Sequence, residues 1–421
     1  MGGNESGSNS VSELRTDQQR LWDAHMEMAV FGATPKGGMG RLALTDDDKK
    51  ARDLFVQWSK EAGCEVRVDV VGNIFARRLG TCPTAAPVMT GSHLDTQPLG
   101  GRFDGILGVL SGLEVVRTFN DRGVQHERPI DVVCWTDEEG SRFGAGCVGS
   151  NAFIGKRSVV DTLAMLDAVG NSIGDELQRI GYAGSEEVGG FEIDSFFEVH
   201  IEQGPILESA GLQIGAVEGA QASTGYMVTV TGEEGHAGTL PMIMRKDAMH
   251  GAARMIDAVD DVAFDFDPHP VITVGHLRVR PNSRNTIPGQ VIFSIDSRHP
   301  DNDVLAGAGR MMKTACEVIA NERGLGLDIQ QTSHRDAITF DPACVQGVRD
   351  ASDLIGIPSM DIFSGAGHDA INLSHVCPSG MIFIPCEGGI SHNELENARP
   401  EDLTAGTDVL MHALLQRAGR V

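Results

Sequence analysis

The sequence predicts an α/β protein: a mostly parallel sheet with helices on both faces, and an inserted, smaller unit of ferredoxin-like order (βαββαβ). Three observations predict it. Apolar strand-like runs alternate with amphipathic helical patterns over the first 215 residues, as in a buried parallel sheet. From about 216 to 330 the order becomes strand, helix, strand, strand, helix, strand. After 331 the strand–loop–helix pattern returns. The expected domains are therefore 1–215 with 331–421, and 216–330 inserted between them. A chain of 421 residues has room for both.

Each element has its own signal. Met1 to Ser12 is rich in Gly, Ser and Asn, lacks the basic start and apolar run of a signal peptide, and is expected to be a frayed tail. Thr45, with Asp48 three residues on, opens a helix whose apolar face is Leu54, Phe55, Trp58 and Ala62, and Gly63 suits its end. Val66, Val68 and Val70 alternate as a strand. Pro87 to His93 and Ile130 to Trp135 read as buried strands, with a helix from Gly105 to Phe119 between them. In the inserted unit, strands are expected near 225–231, 271–279, 290–297 and 325–330, and helices near 245–259 and 302–322.

Composition excludes several roles. There are 34 Lys and Arg against 59 Asp and Glu, a net charge of −25, which repels nucleic acid. No apolar run is long enough to span a membrane. Eight scattered cysteines with no CxxC pair suggest free thiols and a cytoplasmic location.

Four segments carry candidate chemistry. In Gly91 to Gly105, His93 closes a strand and Asp104 follows a Gly–Gly turn; imidazole and carboxylate suit a borderline divalent metal. In an extended chain Asp95 falls on the same side as His93 and is expected to orient its ring. Glu138 and Glu139 follow a buried strand, so one can bind metal while its neighbour moves a proton. His200 ends another strand, with Glu198 and Glu202 on its face, and His392 lies in a Gly-rich loop. Alone, each segment also reads as an ordinary loop or a satisfied histidine. Together His93, Asp104, Glu139, His200 and His392 supply five N/O ligands, a set suited to two metals, with Glu138 left over.

The chain resembles the M20-type metallohydrolases, and within them the hydantoinase/carbamoylase amidases. The resemblance runs from about Leu42 to the C-terminus and rests on ordered segments: GSHLDTQPLGGRFDG, EEGSRF, HIEQGPILE, GHAGTLPMIMRKDA, RNTIPG, DSRHP, SGAGHDA and SHNE. It implies that Asp104 bridges two divalent ions (Zn, Mn, Co or Ni), that His93 and His200 complete one site, and that Glu139 and His392 complete the other. It further implies that Glu138 is the general base and that the inserted unit is a lid and homodimerisation domain. His236 would stabilise the oxyanion, and Asn285 and Arg298 would hold the substrate carboxylate. Gln203 would contact the substrate amide, and His368 would sit in a flexible loop over it. The implied reaction is hydrolysis of an N-carbamoyl-L-amino acid or N-carbamoyl-β-alanine to amino acid, carbon dioxide and ammonia. Allantoate amidohydrolysis and a catalytically silent metal-binding dimer are the alternatives. Gln97 stands where Val is common in the family, and Thr286–Ile287 where Val–Val is. Neither is expected to touch a ligand.

Overall fold

Connection length decides which strands lie antiparallel, because a tight turn can only reverse the chain whereas a parallel neighbour needs a crossover. The computed structural model describes residues 11–421; most of the expected N-terminal tail, residues 1–10, lies outside the described residues. The chain divides into two units, one running to Glu218 and resuming at Phe340–Val421, the other Gly219–Thr339.

In the first unit β1 (Glu65–Val68) and β2 (Ile74–Arg78) form a hairpin. β3 (Val88–His93), β4 (Ile130–Trp135), β5 (Ser195–Ile201) and β6 (Ile214–Ala220) follow. The second unit holds β7 (Ala222–Thr231), β8 (Gly235–His236), β9 (Val271–Thr273), β10 (Leu277–Arg280), β11 (Thr286–Ile287), β12 (Gln290–His299), β13 (Gly326–Arg335) and β14 (Ile338–Thr339). β15 (Ser359–Ser364) and β16 (Ser379–Ile384) return to the first unit.

The large sheet has the order β1-β2-β4-β3-β5-β16-β6-β14, with β15 also on β6. The central strands β4-β3-β5-β16 are parallel to one another. The β1-β2, β2-β4, β16-β6 and β6-β14 pairs are antiparallel. The sheet is therefore mixed, and the expectation of a mostly parallel sheet holds only at its centre. The reason is local: β1 and β2 are joined by the turn at Asp69–Asn73, whose Asp69 carboxylate accepts from the amides of Val71 and Asn73. The central strands β3, β4, β5 and β16 are buried along their whole length. They read as continuous apolar runs because both faces are covered. The helix Ile106–Arg122 packs on β3, and Gly108 permits the close approach, since a Cβ there would meet Ser92 and the carbonyl of Val199. The helix Pro400–Ala418 packs on that helix and on β5 and β16.

The second unit has the order β10-β12-β7-β13, with β9 pairing on the same strand as β10, and every pair is antiparallel. The helices Ala248–Asp261 and Asn302–Arg323 bury Met255, Val259, Met312 and Cys316 against this sheet in a core of their own. The strand expected at 271–279 is broken into β9 and β10. The unit ends later than the expected 330, because β13 stays paired with β7 as far as Arg335.

Candidate metal centre

Three strand ends and two loops of the first unit deliver the candidate residues. β3 ends on His93 and β5 on His200 and Ile201, two strands apart in chain order but neighbours in the parallel centre. Both imidazoles are buried and both are oriented by backbone. His93 Nδ1 donates to the Asp95 carbonyl at 2.9 Å, and His200 Nδ1 donates to the Ile201 carbonyl at 2.9 Å. Each ring then presents Nε2 as a lone pair, the tautomer a metal ligand needs. The two Nε2 atoms stand 3.8 and 3.1 Å from the same oxygen, Asp104 Oδ1.

The other Asp104 oxygen faces a second group. His392 Nε2 lies 3.4 Å from Asp104 Oδ2 and 3.6 Å from Glu139 Oε2. Two clusters of potential ligands, His93–Asp104–His200 and Asp104–Glu139–His392, therefore share Asp104. Glu138 Oε2 lies 3.5 Å from His93 Nε2, and Cys147 Sγ lies 3.1 Å from Glu138 Oε1.

The loops are held where sequence gave no direct indication. Asp95 orients His93 through its carbonyl; its carboxylate, 4.0 Å from the ring nitrogen, instead accepts from the amides of Glu138 at 3.3 Å and Glu139 at 3.2 Å. Glu396, which the sequence reading did not single out, accepts from the amides of Phe103 and Asp104, both at 3.1 Å, and Ser391 Oγ lies 3.1 Å from both Glu396 and Asp104. Arg142 ties the Glu139 loop to Asp167, Glu176 and the Ala43 carbonyl. Gly105 has φ +71, and a Cβ there would collide with the His93 ring. Four of the six described non-glycine residues with positive φ border the site: Asp137, Cys147, Gln203 and His392. Strain of this kind persists only where the surroundings over-determine it.

Other candidates are placed differently from expectation. Gln203 donates from Nε2 to Asp104 Oδ2 at 2.7 Å, while its Oε1 is buried without a partner. His368, in the loop after β15, is buried beside Ser364, its ring edge-on to His200 at 4.5 Å between centroids, so it packs within the first unit. Gln97 is the clearest correction. Expected to touch no ligand, it donates from its backbone N and side-chain Nε2 to the two Glu139 oxygens, at 3.1 and 2.6 Å. Within the second unit, β8 and β11 pair His236 with Thr286, and the Ala237 amide donates to the Asn285 carbonyl, so His236 and Asn285 are neighbours. Arg298 lies on β12 opposite Ser223, with its Nε on Asp296 at 2.8 Å.

The electrostatics favour a cation. Burial pushes the Glu138 carboxyl well above its ordinary range. Burial, reinforced by the Asp104 charge, pushes Glu139 up to about 7. Burial would also raise Asp104, but His200 and His392 in their protonated forms donate to it and hold the group well below its usual range; an ion would take the place of those protons on the Nε2 atoms. Among the described residues, the ion-pair partners of Asp104, Glu138 and Glu139 are all histidines, with no Lys or Arg. Divalent ions would neutralise this charge and use the converging lone pairs, so the donor set fits them.

The model of the Peptidase family M20/M25/M40 matches residues 89–416. The chain belongs to this family. The M20 chain is 46% identical to the N-carbamoyl-L-amino-acid amidohydrolase of Rhizobium meliloti, over 96% of its own length and 97% of the relative's. A more distant relative, 33% identical over 93% of this chain and 96% of its own, is the allantoate amidohydrolase of Escherichia coli strain K12. Among solved structures, an amidase of the hydantoinase/carbamoylase family from Burkholderia multivorans matches with a TM-score of 0.93 and 53% identity, covering 96% of this chain and 98% of the other.

Proposed function

We propose that this M20-family hydrolase cleaves the carbamoyl C–N bond of N-carbamoyl-L-amino acids. One water is consumed, and the amino acid, carbon dioxide and ammonia are released. The observation that carries the reading is the sharing of Asp104 between two ligand clusters with Glu138 beside them; the carbamoyl substrate class comes from the relatives. In this reading His93, His200 and Asp104 would hold one divalent ion, and Asp104, Glu139 and His392 would hold a second. Such ions polarise a carbonyl and make water more acidic.

The chain's own residues supply the rest. Glu138, in a buried position beside His93, takes a proton from the attacking water and returns it to the leaving nitrogen. His236 donates to the developing oxyanion. Asn285 and Arg298 hold the substrate carboxylate, for which a guanidinium fork is suited. Gln203 orients the amide, its unpartnered Oε1 being an acceptor for a ureido N–H, and His368 backs the site against His200. The second unit acts as lid and homodimerisation domain. The eight free cysteines agree with a cytoplasmic enzyme. Among the described residues no helix is long and apolar enough to cross a membrane.

The test is ammonia release from N-carbamoyl-L-amino acids, N-carbamoyl-β-alanine and allantoate, using metal-stripped protein resupplied with Mn, Zn or Co. Metal-dependent turnover of the carbamoyl amino acids supports the proposal. Turnover of allantoate alone overturns the substrate, and tight binding of two ions without any turnover overturns the activity.

A further inference from the structure

Glu139 is gripped on both oxygens by one residue. The Gln97 backbone amide donates to Oε1 at 3.1 Å, and the Gln97 side-chain Nε2 donates to Oε2 at 2.6 Å. Gln97 is held in turn, since Ser141 Oγ donates to Gln97 Oε1 at 2.7 Å. That bond fixes which end of the side-chain amide faces Glu139, because only the oxygen can accept from the hydroxyl. Glu139 Oε2 is also the oxygen 3.6 Å from His392 Nε2. The donor from Gln97 therefore occupies one lone-pair direction of that oxygen and leaves the other for the Asp104–Glu139–His392 cluster.

We propose that Gln97 is a positioning residue for metal binding, setting the affinity of the Asp104–Glu139–His392 half of the centre while leaving the His93–Asp104–His200 half unaffected. The inference rests on the two-ion reading above. Its physical basis is that a carboxylate held by two donors reaches the ion without first being ordered, and that outer hydrogen bonds of this kind alter metal affinity by about 10–100-fold when removed. With each oxygen already accepting one bond, Glu139 is also biased toward offering a single oxygen. That disfavours the two-oxygen grip that large, hard cations such as calcium use.

The experiment is calorimetric titration of Mn2+ into the metal-stripped full-length protein, with bound metal counted by mass spectrometry after desalting. Gln97→Met keeps the length of the side chain and removes its donor. We expect one ion bound as in wild type and the other weakened by about 10–100-fold. Ser141→Ala, at an exposed position, is expected to weaken the same ion by a smaller factor. In a Gln97→Met/His392→Ala double variant, loss at that half should not exceed that of His392→Ala alone. Two ions at wild-type affinity in Gln97→Met, or equal weakening of both ions, would overturn the inference. Failure of the two-ion reading has a separate signature, namely wild type binding fewer than two ions or His392→Ala keeping both.

Discussion

His200 Nε2 lies 3.1 Å from Asp104 Oδ1 while the opposite nitrogen of the same ring donates to the Ile201 carbonyl. The ring cannot turn away without losing that backbone bond, so its lone pair stays aimed at the one carboxylate that both ligand clusters contain.

Asp104 should therefore matter to both ions and the histidines to one each. Asp104→Ala is expected to abolish binding of two ions, and His200→Ala or His392→Ala to leave one. Metal content after desalting checks this. Retention of two ions by Asp104→Ala would remove the bridging role.

Glu138 should affect proton transfer and not metal retention. Glu138→Gln keeps the shape of the side chain and removes its basicity. Turnover should fall by at least about 100-fold, the usual scale for a lost general base, with metal content unchanged. Steady-state rates alongside metal analysis separate the two effects, and near-normal turnover would refute the assignment.

Gly105 tests the packing behind the site. A side chain there meets positive φ and the His93 ring. Gly105→Ala should lose about 1–3 kcal/mol from the backbone strain alone and weaken the ion held by His93. Denaturant midpoints and metal titration would report these separately.

Acid sensitivity should come partly from a buried histidine that takes no part in the proposed chemistry. His25 is fully buried, donates Nδ1 to the Leu21 carbonyl, and has no partner for Nε2. Burial pushes its pKa down to about 4 from an ordinary 6.5. Between those values the unfolded chain binds a proton that the folded chain refuses, so stability rises with pH across that window. The contribution is complete above pH 6.5 and is lost as pH falls toward 4, on the order of 3 kcal/mol in all. His25→Leu should flatten this part of the stability curve, as measured by chemical denaturation of metal-stripped protein from pH 7 to 4. An unchanged slope would show that His25 protonates without cost in the folded state.

The five ligand candidates were legible because each sits where the chain announces it. His93 and His200 close apolar strands, Asp104 follows a Gly–Gly turn, and Glu139 and His392 lie in short polar loops between buried runs. Their supports were not legible. Glu396 reaches the Phe103 and Asp104 amides from the far end of the chain, and Cys147 reaches Glu138 only because the loop between them doubles back with the Cys147 amide on the Glu138 carbonyl. Gln97 read as a neutral difference because a side chain's partners depend on which loop is folded against it. The antiparallel edges were missed for a related reason, since apolar runs report burial and not strand direction.

Periodicity, turn residues and strand-end polar groups are local properties, so the sequence by itself determined the α/β class, the helix-and-strand order of the inserted unit, and the residue types available for metal and proton chemistry. Tertiary structure alone decided that two clusters share Asp104 and that Gln97 grips Glu139. Those are distances between atoms on separate segments, and such distances exist only once the burial of apolar surface has brought the strands and loops together.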